Sequence, residues 1–336
     1  MKRFLVSSAL LLPMFFAAQA VAWGPAGHKI VAAIAFRQLT PAQQATIVAI
    51  LKHHPRYQED FEDKMPEGVE VNEWIFQQAA VWPDIARDLP YEAKKEFSRP
   101  NWHFIDLPYF PTDEDRSELA GKLKANVSFE LSASANEKMN AVQAFRFALH
   151  VLEDPHASDA DKAKYLSWII HLVGDTHQPL HCATLCTVDL FPEGDHGGNS
   201  ITTVQHKELH ALWDGFPGSP SMKFNAVQKK AISLTHEYEL EVAGRKAAAD
   251  LNIETWVKES HDYAERFAYT QQVLEHLEGQ TDAKRLAPME LSEEYLSDGG
   301  NLAKQRLVEA GYRLGAVLKR IAGDGSIANR GDHDRY

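Results

Sequence analysis

Histidine and aspartate recur in this chain at spacings that suit a divalent cation. The densest run is His171-Leu-Val-Gly-Asp175-Thr-His177-Gln-Pro-Leu-His181. His171 and Asp175 stand four apart at the end of an apolar-periodic stretch, so on a helix both leave one face a turn apart. An imidazole and a carboxylate so placed can share one metal ion. Pro179 then turns the chain, and His181 can return from another direction. His210 and Asp214, in HALWD, repeat the spacing. Spacing alone decides little. His150 and Asp154 have it too, in HVLED, and read as a solvated helix-surface pair, as any single His-x-x-x-Asp can. The other two pairs are enriched by a third histidine, Trp213 and a Gly197-Gly198-Asn199 turn.

The chain start adds to this. Residues 1–22 carry Lys2 and Arg3, a short apolar stretch over 4–16, and Ala20-Val21-Ala22, the pattern of a secretory signal. The apolar run falls short of the roughly 18 residues that a membrane span needs. Cleavage between Ala22 and Trp23 would give a secreted or periplasmic product beginning Trp23-Gly-Pro-Ala-Gly-His28. A free α-amine, with a pKa of roughly 7.7–8.0, yields its proton readily to a competing cation. That nitrogen and the Trp23 carbonyl can close a chelate, with His28 near enough to join. A buried Trp anchoring the chain start is the plainer reading, and the two are compatible.

Composition bounds the rest. The 336 residues are 44% hydrophobic and 24% charged, an ordinary globular balance that excludes whole-chain disorder, collagen-like repeats and a disulfide-dense miniprotein. A formal net charge of −12 argues against a generally basic nucleic-acid surface. The two cysteines, Cys182 and Cys186, are expected to close a small disulfide loop in an exported protein. Zinc ligation suits them less, because no second cysteine pair completes a thiolate site.

Helices must position these groups. Thr40-Pro41-Ala42-Gln43 is a capping-box start leading to Leu51. Apolar spacing of three and four predicts further helix over 141–152, 165–173, 240–248, 263–277 and 302–321. The best strand signal, Ile201-Thr202-Thr203-Val204, could be one arm of a hairpin or a short extended segment. No linker divides the chain. The expectation is a mainly α protein with one helical domain over 23–323, at most a short β-hairpin, and a polar, frayed tail over 324–336.

Six motifs in order carry a resemblance. They are Trp23-Gly-x-x-Gly-His28, Trp82-Pro-Asp84-x-x-Arg87, His103-Phe-Ile-Asp106, His171-x-x-x-Asp175-x-x-Gln178-Pro-Leu-His181, Gly197-Gly-Asn199 and Leu209-His210-x-x-Trp213-Asp214. Together they resemble the trinuclear-zinc single-strand nuclease and 3′-nucleotidase family, of the mung bean nuclease type, whose fold is shared with zinc phospholipase C. The resemblance implies three Zn²⁺ ions. One would be held by Asp84, His103, His171 and Asp175; a second by the Trp23 amine and carbonyl, His28 and the bridging Asp175; a third by His181, His210 and Asp214. It also implies that Arg87 and Asn199 contact phosphate, that Phe104 stacks a base and that Asp106 accepts a hydrogen bond from a base edge. Core packing is the alternative for Phe104. His177 is expected to brace a ligand.

By the same resemblance, the substrates would be single-stranded RNA, single-stranded DNA and 3′-mononucleotides, with no membrane and no obligate protein partner. A hydroxide shared by two zincs would attack phosphorus, leaving 5′-phosphorylated products. Three such ions would also offset the acidity of the chain locally. Two places depart from the family pattern, Glu208 before Leu209-His210 and Asp195-His196 before the Gly-Gly turn. Competing readings are a zinc phospholipase C and a non-catalytic zinc-binding protein. The short Trp23-to-His28 spacing and the acid Asp214 argue against the lipase.

Overall fold

The structure, a computed structural model, describes residues 23–323. The expected signal peptide over 1–22 and the tail over 324–336 lie outside the described residues. The chain is mainly helical, as expected. The first four helices are α1 (Pro25–Gln38), α2 (Pro41–Leu51), α3 (Val71–Ile85) and α4 (Tyr91–Phe97). After α5 (Asp113–Leu119) come α6 (Ala141–Glu153) and α7 (Asp159–Asp175), then α8 (Leu209–Gly215). The second half is α9 (Phe224–His236), α10 (Tyr238–Ala247), α11 (Ile253–Tyr263), α12 (Gln271–Leu277) and α13 (Glu293–Ala322).

Local chemistry accounts for the helix starts. Thr40 caps α2 through the expected box with Gln43, and Asn140 with Gln143 does the same for α6. Helix α1 is small and apolar nearly all round, from Ala26 to Phe36, and sits where such a helix must, in the interior. It packs against α13, α3, α9 and α7. Helix α7 lies against α6, α3 and α2, and its buried residues run from Tyr165 to Asp175 without a break. The helix that carries His171 and Asp175 is therefore a rigid central element. No helix among the described residues is long and apolar enough to cross a membrane.

Three expectations need correction. The strands are not a hairpin at 201–204. Strands β1 (Pro108–Tyr109) and β2 (Thr184–Leu185) pair in parallel, whereas 201–204 is the short extended segment of the two alternatives, with isolated bridges from Thr202 to Glu208 and from Thr203 to Met289. A parallel pair joins segments distant in sequence, which no local pattern announces. The helix expected over 263–277 is interrupted: α11 ends in a π-helical turn at Ala264–Ala268, and α12 starts only at Gln271. Finally, Cys182 and Cys186 are free thiols. The extended β2 lies between them, and four extended residues span up to about 13 Å, whereas a disulfide needs Cα atoms within about 7 Å. Each thiol points at a carbonyl instead, Cys182 at Thr176 and Cys186 at Thr184.

Candidate metal centre

Helix α7 ends on Asp175, which is fully buried. Its Oδ1 lies 3.2 Å from His28 Nε2 of α1. Its Oδ2 lies 3.1 Å from both His171 Nε2, one turn back, and His103 Nδ1. Asp84, at the end of α3, completes this cluster, its Oδ1 3.9 Å from His103 Nδ1 and 4.0 Å from His171 Nε2. Ala80 O of α3 accepts the Nδ1–H of His171 at 2.7 Å, which leaves Nε2 aimed at the cluster. The His28 ring stacks on His171 at 3.9 Å, with the planes 12° apart. Gly174 makes room for it: a Cβ there would stand 2.6 Å from His28 Nδ1.

A second cluster forms from His181, His210 and Asp214. The Nδ1–H of His181 donates to His103 O at 2.7 Å, and that of His210 to Gly197 O at 2.6 Å. Both Nε2 atoms then face inward, 3.1 Å apart. His210 Nε2 is 3.4 Å and His181 Nε2 3.9 Å from the Asp214 carboxylate. Gln178 donates to Asp214 Oδ1 at 2.7 Å. The β1–β2 pair holds the two clusters together, because Ile105 N donates to His181 O and Thr184 N to Leu107 O. Gly197 turns with φ 63°, a conformation that favours glycine. Asp195 pins that turn, accepting from Gly198 N, Leu185 N and the Tyr269 hydroxyl.

Electrostatics agree with a cation site. Burial opposes charge on Asp175, yet His171, His103 and His28 hold its carboxyl well below the usual range. Burial pushes His28, His103 and His181 down, and burial with the nearby His181 takes His210 to about 3. Neutral imidazole is the ligand form. Only His171 is raised, its burial outweighed by Asp175 and Asp84. Burial, with Asp84 and Asp175 adding, pushes Asp214 well up, so its charge wants a positive partner. Asp84 Oδ2, His28 Nε2, His103 Nε2 and Asp175 Oδ1 are buried without a hydrogen-bond partner. Among the described residues, three groups have ligand atoms all within 4.8 Å of one another: His28–Asp84–His171, His103–His171–Asp175 and His181–His210–Asp214. Oxygen and imidazole donors in sets of three that converge on one point suit zinc.

The other expected site residues are placed as follows. Arg87 Nη1 is 3.3 Å from Asp84 Oδ1. Trp23 is buried, and Gly24 N donates to Asp214 O at 3.0 Å, so the start of the described chain lies beside the second cluster. Phe104 and Asp106 are half-buried in the segment after His103. Burial and Asp195 push the Asp106 carboxyl up to about 7. Asn199 follows the Gly-Gly turn and donates to His196 O at 2.6 Å. His177 does not brace a ligand: its Nδ1–H goes to Val173 O and its Nε2 faces Arg313. His150 is exposed, and Asp154 accepts from His156 N, so that pair stands apart as expected. The carbonyls of Ala80, His103 and Gly197, which orient the rings, carry no sequence signal. Gln178 lay inside a motif without a role.

Residues 23–323 match the family model of the S1/P1 nucleases. This chain belongs to the S1/P1 nuclease family. Nuclease S1 of Aspergillus oryzae is 26% identical to it over 339 residues, covering 93% of this chain and 98% of the relative. Endonuclease 4 of Arabidopsis thaliana is 22% identical over 320 residues, with 90% of each chain covered. Endonuclease 3 of the same plant is 24% identical over 327 residues, again with 90% of each. The chain is thus a nuclease, a phosphodiester hydrolase with His/Asp clusters able to hold metal.

Proposed function

We propose that this S1/P1 nuclease hydrolyses single-stranded RNA and DNA to 5′-phosphorylated products and removes phosphate from 3′-nucleotides, with three zinc ions bound. The observation that carries this reading is the convergence of bare imidazole nitrogens and carboxylate oxygens on two adjoining points, with each inward nitrogen of His171, His181 and His210 aimed by a carbonyl behind its ring. Asp84, His103, His171 and Asp175 would hold one ion. His28 and Asp175, with the Trp23 carbonyl and amine, would hold another, and His181, His210 and Asp214 the third. The amine exists only after cleavage between Ala22 and Trp23, so the reading includes export to the periplasm or medium. Zinc in such a centre supplies a water acidified toward neutral pH and positive charge for the oxygens of a phosphoester.

The protein's own groups would do the rest. Arg87, held beside Asp84, would bind a non-bridging phosphate oxygen, and the Asn199 amide would donate to another. Phe104 would offer its ring to a base, a contact that tolerates any sequence. Asp106 would meet the edge of that base. A base held so cannot stay in a duplex, which favours single strands.

Metal analysis of signal-free protein, with assays on single-stranded RNA, single-stranded DNA, duplex DNA, 3′-AMP and phosphatidylcholine, tests this. Near three zincs per chain and turnover of the single strands and 3′-AMP is the expected result. Hydrolysis of phosphatidylcholine alone would favour a zinc phospholipase C, and bound zinc without turnover a non-catalytic zinc protein.

A further inference from the structure

Helix α13 buries two guanidinium groups, Arg306 at 1% and Arg313 at 2% exposure. A buried charge is costly unless paired and hydrogen-bonded, and apolar packing often stabilises as well as a buried ion pair. Where these donors end is therefore informative. Arg306 reaches Glu309 at 2.6 Å and Glu259 at 3.0 Å through Nη1, Ser260 Oγ at 2.8 Å through Nη2, and His177 O at 3.3 Å through Nε. Arg313 grips both Glu259 oxygens, at 2.7 and 2.9 Å, and donates to His177 Nε2 at 2.9 Å. Ser260 donates to Thr176 O at 2.6 Å.

On the α7 side these contacts all land on Thr176 and His177, the two residues after Asp175, and none of them touches an expected ligand. That short turn joins the two clusters. Asp175 ends the first, Gln178 donates to Asp214 of the second, and His181 opens the second. The separation of the clusters therefore follows the path of 175–181, and α11 and α13 grip that path from outside. Apolar side chains in place of the arginines would leave the carbonyl of His177 without its donor at a buried helix end.

We propose that Arg306 and Arg313, together with Ser260, are positioning residues for the metal centre. Their grip on Thr176 and His177 sets the spacing between the Asp175 cluster and the His181–His210–Asp214 cluster, and with it the hold on bound zinc. This rests on the reading that the clusters bind zinc. Groups hydrogen-bonded directly to metal ligands typically matter by about 10–100-fold in affinity, so contacts one residue removed are expected at the lower end of that range, and lysine keeps the charge of arginine but loses its fork.

The comparison pair is Arg146–Glu254, which ties α6 to α11 with both side chains partly exposed and with no bond from Arg146 to Thr176 or His177. Zinc-loaded wild type, R306K, R313K, S260A and R146A are mixed with a chromophoric chelator, and zinc release is timed beside metal-free Tm. The expected result is release about tenfold faster or more in R306K, R313K and S260A, with R146A releasing like wild type whatever its Tm. Release no faster than from R146A would overturn the proposal. S260A removes one hydrogen bond and decides the matter if an arginine variant does not fold. A wild type that takes up no zinc would instead overturn the zinc reading, a distinguishable failure.

Discussion

The Nε2 atoms of His181 and His210 face each other at 3.1 Å, while each ring spends its Nδ1–H on a backbone carbonyl. Two neutral rings in those tautomers oppose lone pair to lone pair, which only a cation between them makes favourable. His210→Ala is therefore expected to lose about one zinc per chain, counted by metal analysis, while the Asp175 cluster keeps its own. Hydrolysis of 3′-AMP should fall by about 10²–10³, the scale of removing one stabiliser of developing charge. Unchanged zinc content in the variant would sink this account.

Gly174 couples the packing of α7 to metal binding through the His28 ring. Alanine is a better helix former than glycine by about 1 kcal/mol, so Gly174→Ala should not weaken α7 itself. Its methyl would, however, stand 2.6 Å from His28 Nδ1, and the ring cannot retreat because it stacks on His171 at 3.9 Å. That crowding costs about 1–3 kcal/mol, more than the helix gain returns, so the variant is expected to melt below wild type in chelator and to take up zinc more weakly. Wild-type titration with zinc would refute the crowding argument.

Trp23 is buried and Gly24 N is bonded to Asp214 O. An extra Met before Trp23 would turn the amine proposed as a ligand into an amide, a far poorer one. Loss of one zinc and of most activity is expected. Equal metal content and rate with and without that residue would remove Trp23 from the ligand set.

His54 gives an acid limb to stability. Burial holds it at about 3, against 6.5 for a free histidine, and Arg56 N donates to its Nδ1. As pH falls below 6.5 the unfolded chain takes the proton first, so stability present above 6.5 is lost on the descent toward 3. The slope is about 1.4 kcal/mol per pH unit for one proton. His54→Gln should flatten the pH dependence of urea unfolding between pH 7 and 4, measured in chelator, by that amount. An unchanged slope would show that other groups govern the limb.

The sequence by itself determined the donor chemistry and the helical frame. His171 with Asp175, and His210 with Asp214, are legible because helical period four fixes their relative direction within one turn, and the caps of α2 and α6 are equally local. The tertiary structure decided everything that joins distant residues. It separated exposed His150 and half-buried Asp154 from their two buried look-alikes. It turned His177 away from the metal centre toward Arg313 on α13, and kept Cys182 and Cys186 apart across a strand paired with residues far upstream. It also chose which nitrogen of each ring faces inward, through the carbonyls of Ala80, His103 and Gly197. Every residue has a carbonyl, so residue type cannot say which one will meet a ring; only the packed backbone can.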